Sequence, residues 1–315
     1  MPKVLISDKL SAQAAKIFSD QGVDVDIKPG LSPDELKAII SEYDGLAIRS
    51  ATKVTEDLLD AASKLKVIGR AGIGVDNVDI TAATKRGIIV MNTPHGNSVT
   101  TAEHAIAMIM SLARQIPEAN ESTKAGKWEK SRFMGTEITG KTLGLIGCGN
   151  IGTIVAERAQ GLKMRVIGYD PYLSLENATR LGIEKLELED LLERADFITL
   201  HTPLTDATRN IIGADALNKT KRGVRIINCA RGGLVDETAL AAALKTGHVA
   251  GAALDVFEFE QAKESILFGF ENVIATPHLG ASTTEAQEKV ALQVAEQMSD
   301  YLMKGAVTNA LNMAS

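Results

Sequence analysis

Three side chains suited to acid–base chemistry on a small carboxylic acid follow strand-like apolar runs in the C-terminal half of the sequence. They are Arg231, Glu260 and His278. Ligands of open parallel sheets bind outside the carboxyl ends of the strands, so groups that follow strands are candidates for one site. Arg231 would hold a carboxylate through two hydrogen bonds, and His278 would exchange a hydroxyl proton. Glu260 would hydrogen-bond the imidazole and favour its charged form.

Neighbouring residues compete for these roles, and spacing alone does not separate them. Glu258 competes with Glu260 for the contact with the imidazole. Of the other four histidines, His95 and His201 end predicted strands and compete with His278, although His201 is the better candidate for lining a cofactor. His104 lies within a predicted helix and His248 lies before a strand, and both are interpreted as structural.

A glycine-rich stretch has the pattern of a dinucleotide-binding turn. Gly147, Gly149 and Gly152 form G-x-G-x-x-G between a strand predicted at 142–146 and a helix predicted at 151–162. The first glycine permits the tight turn, and the second lets backbone N–H groups approach a pyrophosphate. The third lets the helix pack closely against the strand. The positive N-terminal end of the helix would then face the phosphates.

The next predicted strand, 164–169, ends on an acidic residue that bears on the choice of cofactor. Asp170 follows Gly152 by eighteen residues. A carboxylate there accepts hydrogen bonds from a ribose and repels the additional phosphate of NADP. The sequence therefore predicts NAD. A nicotinamide beside the arginine, glutamate and histidine suits hydride transfer to or from a small carboxylic acid.

The composition is that of an ordinary globular protein and argues against several function classes. The 315 residues carry a net charge of −6 and 4% aromatic residues, which disfavours nucleic acid as a partner. The sequence has no uncharged apolar run of the roughly 18 residues that a membrane span needs, and no signal-peptide pattern, so we expect a cytoplasmic protein. Cys148 and Cys229 are interpreted as small buried hydrophobes, and no metal site is expected.

A chain of this length is expected to form two domains of alternating strands and helices. The alternation runs through residues 1–97 and again through 98–283, which predicts parallel sheets with helical crossovers. A long helix from about Thr283 to Met303 would carry the chain back, so 284–315 are assigned to the first domain. The helix predicted at 98–115 is apolar on nearly every side, and burial between two subunits would cover it. We therefore expect a homodimer, or a tetramer built from it.

Around these residues the sequence resembles the D-2-hydroxyacid dehydrogenase family. The matching stretches include GRAGIGVDNVD, MNTPHGNSVTTAEH, GKTLGLIGCGNIG, NCARGGLVDE, GAALDVF and PHLGAST, and they cover nearly the whole chain. The resemblance implies an α/β fold with two doubly wound parallel-sheet domains. A Rossmann NAD-binding domain would be inserted in a discontinuous, flavodoxin-like substrate-binding domain. It also implies that Arg231, Glu260 and His278 are the catalytic residues.

The resemblance further assigns residues that would contact ligands. Beside the glycine-rich turn, the residues expected to contact NAD are Asn150, Ile151, Asp170, Thr202, Pro203, Cys229 and Asp255. The residues expected to face the substrate are Arg49, Ser50, Arg70, Gly74 and Asn97. Arg49, and Arg132 supplied by a partner subunit, would add positive charge that suits a phosphorylated 2-hydroxy acid.

The sequence departs from the family pattern at two residues, and alternative functions stay open. Gln261 stands where proline is common, and Ile73 stands where close relatives often have threonine. Many longer members carry C-terminal regulatory domains, whereas this sequence stops at Ser315, so a short form without them is expected. The nearest alternative function is action on another small D-2-hydroxy acid, such as glycerate, hydroxypyruvate or 2-hydroxyglutarate. A non-catalytic NAD-sensing adaptor is a more distant alternative, because a pure binder needs no acid–base pair.

Overall fold

Two parallel β-sheets provide the framework, and each lies in its own unit. The computed structural model describes residues 1–260 and 262–313, so Gln261 lies outside the described residues. One unit comprises Met1–Asn97 and the segment that begins at Ala281, and the other comprises Ser98–Gly280.

The strands of the described residues are short and mostly apolar. They are β1 (Lys3–Ile6), β2 (Asp24–Ile27), β3 (Gly45–Ile48), β4 (Val67–Arg70), β5 (Ile89–Asn92), β6 (Thr142–Ile146), β7 (Arg165–Tyr169), β8 (Glu184–Lys185), β9 (Phe197–Leu200), β10 (Val224–Asn228), β11 (Val249–Leu254) and β12 (Val273–Ala275).

Most of the helices among the described residues connect these strands as crossovers. They are α1 (Ala12–Asp20), α2 (Pro33–Ile39), α3 (Glu56–Ala61), α4 (Ile80–Lys85), α5 (Ser98–Arg114), α6 (Ile116–Lys124), α7 (Asn150–Gly161), α8 (Leu175–Arg180), α9 (Leu188–Arg194), α10 (Ala214–Lys219), α11 (Glu237–Lys245) and α12 (Thr284–Lys304). A single 3₁₀ turn, Ile40–Glu42, follows α2.

The first unit contains a sheet with strand order β2-β1-β3-β4-β5, in which every pair is parallel. The order 2-1-3-4-5 is that of flavodoxin-like folds. All four residues of β3 are buried, as expected for a strand covered by helices on both faces. On one face α12 packs against β4, where Gly69 leaves room for Val294 and Met298.

The second unit contains a sheet with strand order β12-β11-β10-β9-β6-β7-β8, again parallel throughout. Counted from β6, the order is 3-2-1-4-5-6 with β12 as an additional strand, which is the Rossmann arrangement. The predicted fold class, α/β with two doubly wound parallel sheets, is therefore confirmed.

α5 buries its apolar face within its own unit. Ala102, Ala105 and Ile109 are at most 1% exposed and share one core with apolar residues of α7. The helix ends at Arg114 because Gln115 adopts a left-handed conformation with φ of +52°. Burial within the unit thus accounts for the apolar composition of α5 without a second subunit. The homodimer stays a prediction.

The described residues also bear on membranes and metals. None of the helices within them is long and apolar enough to cross a membrane. Residues 1–260 and 262–313 likewise contain no group of three or more His, Cys, Asp or Glu side chains placed to hold a metal ion.

The close approach of α12 to β4 generates a stability prediction for Gly69→Ala. The new Cβ would lie 2.3 Å from the Met298 sulfur and 2.6 Å from a methyl group of Val294. Such overpacking is expected to lower the free energy of unfolding by about 1–3 kcal/mol. As a control, Gly161→Ala in α7 places its Cβ where no atom lies within 4 Å, and it is expected to be neutral or stabilising by up to about 1 kcal/mol. Chemical denaturation of both variants tests this, and equal stabilities would contradict it.

Candidate active site

The glycine-rich turn lies between β6 and α7 and leaves one side open. Gly147 has φ of +95°, and a Cβ on it would meet the carbonyl oxygen of His201 at 2.6 Å. A Cβ on Gly152 would meet the Gly147 carbonyl oxygen at 2.2 Å, so neither position accepts a side chain. A Cβ on Gly149 would meet nothing within 4 Å. The N-terminal end of α7 therefore borders an open cradle that fits a pyrophosphate.

Asp170 follows β7 and is held by the turn beside it. Its Oδ2 accepts a hydrogen bond from the backbone N–H of Cys148 at 2.8 Å, and its Oδ1 accepts one from the N–H of Tyr172 at 2.8 Å. An ionised carboxylate has about four acceptor positions, so two internal bonds leave capacity for ribose hydroxyls. The geometry of Asp170 fits the predicted ribose contact.

The other predicted cofactor contacts, apart from Asp255, lie near the same edge of the sheet. They are Asn150 and Ile151 in the first turn of α7, Thr202 and Pro203 after β9, and Cys229 after β10. Burial raises the pKa of Cys148 to about 12, and it raises the pKa of the Cys229 thiol as well. Both thiols are therefore protonated at neutral pH and serve as small apolar groups.

His201, the histidine that competes with His278 in the sequence, is held neutral after β9. Burial lowers the pKa of His201 to about 4, and its Nε2 lies 3.0 Å from the Thr199 hydroxyl. Its Nδ1 is buried and has no hydrogen-bond partner in the described part of the chain. A general base has to take up a proton near neutral pH, so this environment disfavours His201 for that role.

Asn228, the last residue of β10, organises the turn that carries Arg231. Its side-chain amide donates to the Arg231 carbonyl oxygen at 2.8 Å and accepts from the Ala230 N–H at 3.0 Å. The Arg231 guanidinium donates to the Ala230 carbonyl oxygen at 2.7 Å. A guanidinium has five N–H donors in a planar fork, which is the arrangement that binds a carboxylate through two bonds.

Gly232 brings this turn against the segment that follows β11. A Cβ on Gly232 would lie 1.7 Å from the carbonyl oxygen of Phe257 and 2.3 Å from its carbonyl carbon. Both are backbone atoms, so no side-chain movement would relieve the clash. The Arg231 turn therefore touches the segment leading to Glu260 only because residue 232 is glycine.

Asp255 follows β11 and has no exposed surface. Its Oδ1 accepts hydrogen bonds from the Thr276 hydroxyl at 2.5 Å and the Leu279 N–H at 2.7 Å, and its Oδ2 accepts from the Gly280 N–H at 2.8 Å. The His104 Nε2 lies 3.3 Å from Oδ1. Burial alone would raise the pKa of Asp255, but the hydrogen bonds from these partners outweigh it and hold the pKa below the ordinary carboxyl value. The predicted cofactor residue thus fixes the turn after β12.

His278 lies in that turn and forms a direct pair with Glu260. Its backbone is left-handed, with φ of +57°, and its N–H donates to the Asp255 carbonyl oxygen at 2.9 Å. The imidazole Nδ1 lies 2.9 Å from Oε1 and 3.1 Å from Oε2 of Glu260. Among the described residues Glu260, rather than Glu258, is the carboxylate that contacts the imidazole. The two side chains are 45% and 58% exposed, so the pair adds little stability to the fold.

The predicted substrate residues of the first unit follow strands of its own sheet. Arg49 is the first residue after β3, and its N–H donates to the Asp8 carboxylate at 2.6 Å. Asp8 is 5% exposed and also accepts from the Thr52 hydroxyl at 2.7 Å. The Asn77 side chain donates to the Arg49 carbonyl oxygen at 2.7 Å. The buried Asp8 and the half-buried Thr52 and Asn77 therefore fix the loop that carries Arg49 and Ser50.

The other predicted substrate residues lie after β4 and β5. Arg70 ends β4, and its Nη1 donates to the Ala71 carbonyl oxygen at 3.3 Å. A Cβ on Gly72, whose φ is +143°, would lie 1.5 Å from that Nη1, so the guanidinium folds over this glycine. Gly74 follows in the same loop, and Asn97 is a buried residue in the loop after β5.

Arg132, the remaining predicted substrate residue, is paired within its own chain. Its Nη1 lies 3.0 Å from a carboxylate oxygen of Glu129, and its Nη2 lies 2.9 Å from one of Glu271. The Glu129 carboxylate also accepts from the Ser122 hydroxyl. Two carboxylates thus balance the positive charge of Arg132, which the sequence analysis assigned to binding a phosphorylated substrate.

Sequence reasoning missed several residues that position these groups. His104 was interpreted as structural, yet it contacts the Asp255 carboxylate. Asn228 and Asp8 were not singled out, although each lies at or just beyond the end of a strand. The rule that located Arg231, a polar group at the carboxyl end of a strand, would have found both. No sequence signal pairs His104 with Asp255, because their contact depends on how α5 packs.

Part of the chain matches a known protein family. Residues 106–280 match the family described as "D-isomer specific 2-hydroxyacid dehydrogenase, NAD binding domain". The match spans more than half of the 315 residues. The chain belongs to the D-isomer specific 2-hydroxyacid dehydrogenase family. NAD is the cofactor of this domain, and the open cradle at Gly149 and the carboxylate of Asp170 fit it.

Individual members of the family resemble the chain over most of its length. The D-3-phosphoglycerate dehydrogenase of Synechocystis sp. is 51% identical over 313 residues, which cover 99% of this chain and 56% of that protein. That of Homo sapiens is 52% identical over 310 residues, which cover 98% of this chain and 58% of that protein. The chain thus spans little more than half of these relatives. The crystal structure of a glyoxylate reductase from Paecilomyes thermophila is 30% identical, covers 98% of both chains and has a TM-score of 0.90.

The geometry at Asp170 generates a prediction about cofactor choice. The enzyme is expected to prefer NAD over NADP by at least about tenfold, because placing a phosphate beside a carboxylate should cost on the order of 1.4 kcal/mol or more. Asp170→Ala should narrow the ratio of Kd values, measured by fluorescence titration. Asp190→Ala on α9 removes the same charge elsewhere and should leave the ratio unchanged. Equal affinity of the unmodified protein for both cofactors would refute the role of Asp170.

Proposed function

We propose that this protein catalyses the NAD-dependent oxidation of 3-phospho-D-glycerate to 3-phosphohydroxypyruvate, the first step of phosphorylated L-serine biosynthesis. The observation that carries the proposal is the His278–Glu260 pair, with Nδ1 at 2.9 and 3.1 Å from the two carboxylate oxygens. The choice of substrate is supported by identities of 49% to 52% with D-3-phosphoglycerate dehydrogenases over nearly the whole chain.

His278 is the general base in this proposal, and Glu260 orients it. When the Nδ1–H group donates a hydrogen bond to the Glu260 carboxylate, the neutral imidazole keeps its lone pair on Nε2. Nε2 takes the proton of the substrate's C2 hydroxyl, and the carboxylate stabilises the imidazolium that forms. NAD, when bound, supplies the acceptor for the hydride from C2.

Arg231 binds the substrate carboxylate and the C2 oxygen in this scheme. Its guanidinium stabilises negative charge on that oxygen as the hydroxyl loses its proton. Arg49 supplies charge for the phosphate group. We place Arg132 second in this role, since it would first have to give up Glu129 and Glu271.

Two other functions compete with the proposal. A related activity on glycerate, hydroxypyruvate or 2-hydroxyglutarate would use the same acid–base pair, and the similarity to a glyoxylate reductase supports this alternative. A non-catalytic NAD-sensing adaptor would have no use for the pair. Recognition of the phosphate group separates the first alternative from the proposal, and turnover separates the second.

A panel of substrates tests the proposed reaction. NAD reduction would be measured with 3-phosphoglycerate, glycerate, lactate and 2-hydroxyglutarate, and kcat/KM is expected to be highest for 3-phosphoglycerate by at least about tenfold, equivalent to about 1.4 kcal/mol. Arg49→Gln should reduce this preference and leave kcat/KM for glycerate nearly unchanged. His278→Ala should lower kcat by roughly 10²–10⁴-fold without weakening NAD binding, because it removes proton transfer. A preference for an unphosphorylated acid, or full turnover by His278→Ala, would contradict the proposal.

We further propose that the protein is a homodimer. Large apolar side chains are exposed in and near the segment after α6, with Trp128 86% and Met134 81% exposed, and a second copy of the chain would cover such a surface. Sedimentation at micromolar concentration is expected to give about twice the chain mass of 33.5 kDa. Trp128→Ser should shift the equilibrium towards the monomer, whereas a monomeric unmodified protein would rule the dimer out.

A further inference from the structure

None of the described residues between β11 and β12, Glu260 among them, belongs to a helix or strand. Phe259 is 77% exposed, and the Glu260 side chain is 58% exposed. An exposed segment of this kind samples many conformations unless bonds hold it. The distance between Glu260 and His278 therefore depends on what fixes the segment on either side of Glu260.

The carboxylate of Glu237 accepts hydrogen bonds from residues on both sides of Glu260. Its Oε1 accepts a hydrogen bond from the Glu258 backbone N–H at 2.8 Å, two residues before Glu260. Its Oε2 accepts one from the Ser265 hydroxyl at 3.3 Å, five residues after Glu260. The Ser265 oxygen in turn accepts from the Leu267 N–H at 3.2 Å.

The place of Glu237 in the fold explains why its carboxylate is available for this task. It is the first residue of α11, but the cap of that helix is the preceding Asp236, which accepts from the N–H groups of Thr238 and Ala239 at 2.9 and 3.0 Å. The chain reaches α11 directly from the Arg231 turn, through Gly232 and its contact with Phe257. Glu237 is thus fixed relative to the arginine on one side and bonded to the Glu260 segment on the other.

We propose that Glu237 is a positioning residue for the acid–base pair. Its two oxygens hold Glu258 and Ser265, on either side of Glu260, so that the Glu260 carboxylate reaches Nδ1 of His278. The inference rests on the proposed function, because it assigns that pair to catalysis. Glu237 contacts neither the imidazole nor the substrate in this scheme, and it acts only through the segment.

The first test is spectroscopic and needs no turnover. The protein has five histidines, so ¹⁵N-histidine labelling gives few imidazole signals, and His278→Ala identifies the one from residue 278. Glu237→Ala is expected to move the His278 Nδ1 resonance towards that of Glu260→Gln, because both changes weaken the same bond. Glu189→Ala is the matched control, since it removes a first-turn glutamate from α9, where the carboxylate pairs with Lys219. It should leave the His278 signal in place.

The second test is a double-mutant cycle on kcat with whichever 2-hydroxy acid the protein turns over best. Glu237→Ala is expected to lower kcat by about tenfold and to change KM for NAD by less than about twofold. In the Glu260→Gln background, Glu237→Ala should lower kcat by less than about twofold more, because the carboxyl group that Glu237 positions is already replaced. Glu237→Gln keeps two polar atoms for the Glu258 N–H and the Ser265 hydroxyl, so it should recover most of the lost activity.

The outcomes separate the two proposals. An unmoved His278 signal in Glu237→Ala, or a loss of kcat that adds in full to that of Glu260→Gln, would overturn the role of Glu237. If Glu237→Ala does not fold, Ser265→Ala removes one side of the contact without touching α11 and should move the signal in the same direction. Absence of turnover on every 2-hydroxy acid, with the signal moving as expected, would overturn the proposed function and leave the positional role standing.

Discussion

The arrangement of the site depends on the hydrogen bonds that the buried carboxylate of Asp255 accepts. A charge without exposed surface is unfavourable unless donors surround it, and leaving a buried polar group without its hydrogen-bond partner costs about 1–3 kcal/mol, or more when the group is charged. Asp255 obtains its donors from the turn after β12, through Thr276, Leu279 and Gly280. That turn contains His278 in a left-handed conformation, which costs on the order of 1–3 kcal/mol for a residue with a side chain. The hydrogen bonds to Asp255 offset this cost, so the electrostatic requirement of the carboxylate fixes the backbone of the histidine.

The parallel sheet explains how residues far apart in sequence reach this neighbourhood. β10, β11 and β12 are adjacent and parallel, so the segments after them emerge at one edge of the sheet. Arg231 follows the first of these strands, Asp255 the second and His278 the third. Sheet order alone brings the segments to one edge, but it does not set hydrogen-bond distances. Those depend on backbone contacts between the segments, such as the approach of Gly232 to Phe257.

The sequence predicted regular elements and the glycine-rich turn well, and it predicted contacts between loops poorly. The strand expected at 142–146 is β6, and the helix expected at 151–162 is shifted by one residue in α7. Glycine spacing and apolar periodicity are local signals, so they can be recognised from the sequence alone. Spacing alone did not separate Glu260 from Glu258; the family resemblance gave Glu260, and the structure has that carboxylate 2.9 Å from Nδ1 of His278. The contact of His104 with Asp255 joins two residues 151 positions apart, and no local pattern encodes it.

The candidate site combines buried groups that fix the backbone with exposed groups to which the proposed function assigns the chemistry. Asn228 and Asp255 are 2% and 0% exposed, and their bonds go to the chain itself. The His278 and Glu260 side chains are 45% and 58% exposed, so solvent weakens their mutual attraction and the pair stabilises the fold little. A base that must meet a substrate cannot be buried under its own chain, and a pair this exposed cannot hold its own geometry. Its geometry therefore has to come from neighbouring groups, and under the proposed function substitutions among those neighbours would impair catalysis while His278 and Glu260 remain intact.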